Sequence, residues 1–122
     1  MVIKESAENY LETIYVLKEK NGNVRSIDVA TELGFSKPSV SVAMKKFREE
    51  GYVIIDDAGY ISLTESGLKI AAGVYERHEI IARALMAIGV SESVAYEDSC
   101  RIEHDISEET FDMLKKHIQK YV

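Results

Sequence analysis

In the run Ser99-Cys100-Arg101-Ile102-Glu103-His104 a thiol, a carboxylate and an imidazole fall at i, i+3 and i+4, the spacing that stacks side chains on one face of a helix. That trio is a donor set for a divalent transition metal. Thiolate and imidazole favour Fe²⁺, Co²⁺, Ni²⁺ and Zn²⁺, whereas a site made only of oxygens suits Mn²⁺. The chain has a single cysteine, so no internal disulfide competes for it, and Cys100 is a small packed hydrophobe, a reactive thiol or a ligand. A metallohydrolase could also hold a metal with Cys100, His104 and His78 and use Glu103 as general base. No oxyanion-donor cluster or Gly-rich catalytic loop accompanies these residues, so an enzyme is not expected.

The elements that must position this trio are legible from caps and breakers. Ser6 precedes the helical stripe Tyr10, Leu11, Ile14, Tyr15 and Leu17, which stops at Asn21-Gly22-Asn23, so a first helix is expected over about 6–20. Ser26 is the expected cap of a second helix ending at Gly34. Ser36 is the expected cap of a third, with Pro38 in its first turn and Val40, Met44 and Phe47 turned inward. Two helices joined by Leu33-Gly34-Phe35 have the grammar of helix-turn-helix. The period then changes: Tyr52–Ile55 and Tyr60–Leu63 flank Asp56-Asp57-Ala58-Gly59, a hairpin pattern, and a hairpin behind a helix-turn-helix is a wing. Thr64 opens a long helix to about residue 88 whose apolar positions include Leu68, Ile80, Ile81, Leu85 and Ile88. Ser91 starts another helix to about Asp105, and Ser107 the last. The expected fold is mainly α: an N-terminal winged helix-turn-helix with a small β-hairpin wing over 1–63, then a linking helix and an α-helical dimerisation and metal-binding domain over 64–122.

Charge adds a second line of evidence. The net charge of −6 opposes binding to nucleic acid in general. Residues 36–48, however, contain Lys37, Lys45, Lys46 and Arg48 and no acid. The first turn of the third helix adds the short hydroxyls of Ser36, Ser39 and Ser41, which can reach phosphates or base edges. A capped and solvated helix would carry the same residues, and Asp56 and Asp57 at the wing tip are poor partners for a phosphate backbone. The DNA contacts expected are Arg25, Ser36, Lys37, Pro38, Ser39, Ser41, Lys45 and Lys46.

The order of a three-helix winged domain, a long helix containing Val74-Tyr75-Glu76-Arg77-His78-Glu79 and a lobe with Cys100-Arg101-Ile102-Glu103-His104 resembles the diphtheria-toxin-repressor (DtxR/MntR) family of iron- and manganese-responsive repressors. Ser6–Tyr15 and Leu63-Thr64-Glu65-Ser66-Gly67 share in the resemblance, which covers essentially the whole chain; a short two-domain member like the manganese type, without the third domain of the larger iron-type members, is expected. The resemblance implies metal ligands at Glu12, His78, Cys100, Glu103 and His104. Cys100 matches the iron type where the manganese type has glutamate, and Asn9 stands where the manganese type has aspartate. Ala82 and Tyr96 occupy two ligand positions of the iron-type accessory site, leaving that site incomplete. The expected cofactor is Fe²⁺ or Mn²⁺, with Zn²⁺ or Co²⁺ as alternatives, and the mixed donors favour Fe²⁺ or Zn²⁺ over Mn²⁺.

A metal-dependent repressor of metal-homeostasis genes is therefore expected, with metal joining the first helix to the carboxy-terminal lobe. A metal-independent winged-helix regulator with a vestigial site is the competing reading, and Asn9 is its best support. The lobe over 91–122 carries Val94, Tyr96, Ile102, Phe111, Met113, Leu114 and Ile118, more apolar surface than its helices can cover alone. This implies a symmetric homodimer on a double-stranded operator, unless those residues pack on the long helix of the same chain. No apolar stretch approaches the roughly 20 residues that span a bilayer, and Met1–Glu5 lacks a secretory layout; the expected location is the cytoplasm.

Overall fold

The computed structural model describes residues 5–121, and the side chains of 6–120; residues 1–4, part of the run read above for a secretory layout, lie outside them. The elements are α1 (Glu5–Asn21), α2 (Ser26–Leu33), α3 (Lys37–Glu49), β1 (Val53–Ile55), β2 (Ile61–Leu63), α4 (Glu65–Ala87), α5 (Glu92–Ile102) and α6 (Glu108–Tyr121). They fall into two compact units, residues 1–72 and 73–122.

In the first unit Leu11, Ile14, Val24, Val29, Val40, Met44 and Ile61 are almost fully buried. They come from all three helices, the hairpin and, at Val24, the segment between α1 and α2, which makes this a winged helix-turn-helix. The Tyr10 ring packs edge-on against Phe47 and tilted against Phe35, each at 5.6 Å. Gly34, at φ 71°, turns the chain out of α2 through a left-handed conformation that glycine adopts without a Cβ penalty. Ser36 caps α3 by accepting from the Ser39 N–H. One expected cap is displaced: Ser26 is already helical, and Arg25 is the cap, its N–H donating to the Asp28 carboxylate at 2.9 Å. A carboxylate three residues into a helix can satisfy a preceding backbone donor by itself, so a serine is not needed there.

The wing is a two-stranded antiparallel hairpin with Val53 opposite Leu63 and Ile55 opposite Ile61. Period-two alternation turns Val53 and Ile61 inward and Ile54 outward. The Ile61 N–H donates to the Val24 carbonyl, tying the wing to the segment before α2. Thr64 accepts from the Gly67 N–H, and a Cβ on Gly67 would overlap the Tyr52 carbonyl oxygen, so only glycine allows the wing exit this close.

In the second unit Ile80, Ile81, Phe111 and Ile118 form the buried centre, with Leu85, Ile102, Ile106 and Leu114 packed on it. Leu68 and Ile88, expected on the inner stripe of the long helix, are instead 46% and 79% exposed. They lie near its two ends, where fewer neighbours cover a helix. The fifth helix stops at Ile102 rather than near Asp105: Glu103 is its cap and residues 103–105 form a turn. Ser107 caps α6 by accepting from the Thr110 N–H.

Candidate metal centre and nucleic-acid interface

Within the second unit, α4 and α5 bring His78 and Cys100 together, Nε2 to Sγ at 3.3 Å. His78 Nε2 is also 3.1 Å from the Tyr96 carbonyl oxygen. Because a carbonyl only accepts, that bond requires the proton on Nε2. The Tyr96 ring holds His78 edge-on at 5.6 Å, and the Tyr96 hydroxyl donates to Glu79 at 2.9 Å. That hydrogen bond, and secondarily burial, raise the Tyr96 phenol above its ordinary range. Ser99, fully buried, donates its hydroxyl to the same Tyr96 carbonyl.

The turn after α5 supplies the other two donors. The Glu103 and His104 side chains are 1% and 4% exposed, with His104 Nε2 3.4 Å from Glu103 Oε1, and ligand atoms of His78 and Glu103 lie within 4.8 Å of each other. Cys100, by contrast, is exposed. Cys100 belongs to α5; Glu103, whose backbone is still helical and whose N–H donates to the Ser99 carbonyl, is its cap; and His104 is in the turn that follows. A buried carboxylate beside an imidazole and within reach of a second imidazole fits a divalent cation, since burial strengthens attraction to positive charge. The donor chemistry of one sulfur, two ring nitrogens and carboxylate oxygen suits a borderline metal.

Arg77 was not singled out from sequence. Its Nη2 donates to the carbonyl oxygens of Glu103 at 2.9 Å and Ile106 at 3.2 Å, and its guanidinium lies 5.1 Å from the Phe111 ring centre. It therefore ties α4, one residue before His78, to the turn that carries Glu103 and His104. The available sign was a cation inside the apolar stripe of a long helix. Which carbonyls it would reach depends on where α5 ends.

In the first unit Asn9 and Glu12 are half-buried on α1, three residues apart and so on neighbouring positions of one face. All eight expected DNA contacts, Arg25, Ser36, Lys37, Pro38, Ser39, Ser41, Lys45 and Lys46, are exposed. The Arg25 guanidinium lies 4.4 Å over the Tyr60 ring, a cation–π stack linking the start of α2 to the wing. The wing-tip acid is accounted for: Asp56 Oδ1 accepts from the N–H groups of Ala58 and Tyr60, both at 2.9 Å, so this carboxylate organises the turn.

Comparison with known proteins gives the same architecture twice over. Residues 3–60 match the family model described as iron dependent repressor, N-terminal DNA binding domain, and residues 64–121 match its metal binding and dimerisation domain. The chain belongs to the DtxR/MntR family of metal-dependent transcriptional regulators. It is similar to the transcriptional regulator MntR of Escherichia coli O6:H1, 34% identical over 118 residues that make up 97% of this chain and 76% of that protein. The solved structure of the manganese regulator SloR overlays 98% of this chain and 55% of its own, with TM-score 0.79 and 28% identity. That of ScaR with bound Zn²⁺ covers 93% of this chain and 53% of its own, with TM-score 0.77 and 29% identity. The chain thus spans about half the length of these solved relatives.

Proposed function

We propose that the protein is a divalent-metal-dependent, DNA-binding transcriptional regulator that acts by binding rather than catalysis, in the cytoplasm, as a homodimer on a double-stranded operator. Residues 1–63 are assigned to DNA binding, and residues 64–122 to the linking helix, dimerisation and metal binding. The observation that carries the reading is the proximity of His78 to both Cys100 and Glu103, and of Glu103 to His104, in a chain that also holds a winged helix-turn-helix with a local excess of exposed cations.

His78, Cys100, Glu103 and His104 are the residues assigned to hold the metal, joined by Glu12 and, through a neutral amide oxygen, Asn9. When bound, the cation supplies the positive charge that lets two carboxylates occupy one site. His78 Nε2 becomes a ligand only after surrendering its proton and its bond to Tyr96, and Cys100 Sγ only as thiolate, so binding releases protons. Glu12 is the ligand that makes the position of α1, and with it the recognition helix α3, responsive to the site. Exposed Ile88, Val94 and Met113, at 79%, 43% and 52%, support burial of this lobe against a second copy.

The test is recovery of duplexes from a randomised DNA pool by the full-length protein with Mn²⁺, Fe²⁺, Co²⁺ or Zn²⁺, and with chelator alone. Selective recovery that requires metal is expected; the same duplexes held as tightly in chelator would overturn the reading.

A further inference from the structure

The recognition helix carries one side chain that its surroundings do not explain. Val40, Met44 and Phe47 define the buried face of α3. At about 100° per residue, Val42 points away from all three, and it is 70% exposed. A β-branched residue on a solvated helix surface is a weak helix former, so local stability does not call for it. Its neighbours on that outer face are Pro38 and Ser39 one turn before and Lys45 and Lys46 one turn after, all exposed.

An apolar group ringed by cations and small hydroxyls matches a specific surface. The major groove lines its walls with phosphates and places on its floor one apolar group, the C5-methyl of thymine, which no other base displays. We infer that Val42, its surface continued by the ring of Pro38, is a specificity-determining residue that packs on a thymine methyl at the groove floor while Lys45 and Lys46 reach phosphates. The stiffness of the branched side chain suits the task, because a valine has few rotamers to lose on contact. This inference rests on the DNA-binding reading above and adds to it which base α3 selects.

The experiment takes duplexes recovered by the full-length protein with Mn²⁺ or Zn²⁺ and replaces each thymine in turn with deoxyuridine, which removes only the methyl. Affinity is read by fluorescence anisotropy. One thymine in each half-site is expected to lose about fourfold on demethylation, the worth of one buried methyl group. In Val42→Ala that penalty should shrink towards none, while the slope of log affinity against log salt stays as in wild type, since no phosphate contact has been removed. Selected duplexes indifferent to uridine at every position, or a penalty undiminished in Val42→Ala, would overturn the inference and leave the DNA-binding reading standing. Failure to recover any duplex with metal present would instead overturn that reading, and the inference with it.

Discussion

Arg77 offers a direct test of how the turn bearing Glu103 and His104 is held. Replacing it with methionine keeps the apolar stem and removes the guanidinium, and so both hydrogen bonds to the carbonyls of Glu103 and Ile106. A hydrogen bond involving a charged donor contributes about 1.5–3 kcal/mol, and the contact with Phe111 about 0.5–1 kcal/mol. These share one side chain and do not add fully. The site is half-buried, so water can reach part of what is left behind. A loss of about 2–3 kcal/mol follows, measured by urea denaturation of metal-free protein. The more telling readout is metal affinity under conditions where both proteins are folded. Groups that orient ligands from behind are typically worth about 10–100-fold in metal affinity, and Zn²⁺ binding by competition with a chromophoric chelator should fall by that factor. Arg77→Lys should be intermediate, because one ammonium lacks the planar fork of the guanidinium. Wild-type Zn²⁺ affinity in a folded Arg77→Met protein would refute the reasoning, whatever happened to stability.

Cys100→Glu exchanges a soft donor for a hard one, so the ratio of Zn²⁺ to Mn²⁺ affinity should fall by an order of magnitude or more; a ratio that does not move would show that Cys100 is not a ligand. Because Cys100 must lose a proton to coordinate, the apparent Zn²⁺ affinity should rise with pH, and a flat profile would point the same way. Tyr96→Phe removes the hydrogen bond to Glu79 and should lower stability at neutral pH by about 1 kcal/mol. Its pH dependence has a definite sign: Tyr96 is raised above 10.0, first by the Glu79 bond and then by burial, so its stabilisation is complete below pH 10 and lost as pH rises through the folded value. The gap between Tyr96→Phe and wild type in urea melts should therefore narrow in strong alkali.

Much of this arrangement was legible before any coordinates because it is local. Ser36, Thr64 and Ser107 were readable as caps since a short hydroxyl ahead of an apolar stripe serves the orphan N–H groups of the next turn, and each accepts such a bond. The inward set Val40, Met44 and Phe47 followed from period alone. What escaped is what depends on neighbours distant in sequence. The end of α5 at Ile102 was misplaced because residues 103–105 have no strong breaker, and the pull that shapes them comes from Arg77, more than 20 positions earlier. Leu68 and Ile88 fit the stripe of α4 as well as Ile80 does, but a stripe does not say how far along the helix its partners extend. Arg25 displaced Ser26 as a cap because Asp28 could do the capping from inside the helix. For the candidate site, the residue types were readable, whereas the contrast between sealed Glu103 and exposed Cys100 was not.

Charge distribution connects the site to the reading of DNA. A protein of net charge −6 gains little from counterion release over most of its surface, so affinity for arbitrary duplex is weak and the acidic remainder opposes close approach. The attractive patch is confined to residues 36–48, where four cations meet no acid. With so few phosphate contacts per copy, tight binding requires two recognition helices engaged together, each also earning selectivity from its base contacts. In such a protein a modest change in how α3 is presented matters more than it would in a strongly basic one, whose general attraction to phosphate holds it on DNA in any orientation. On the reading proposed above, the acidity that at first argues against nucleic acid is what makes binding sensitive to metal.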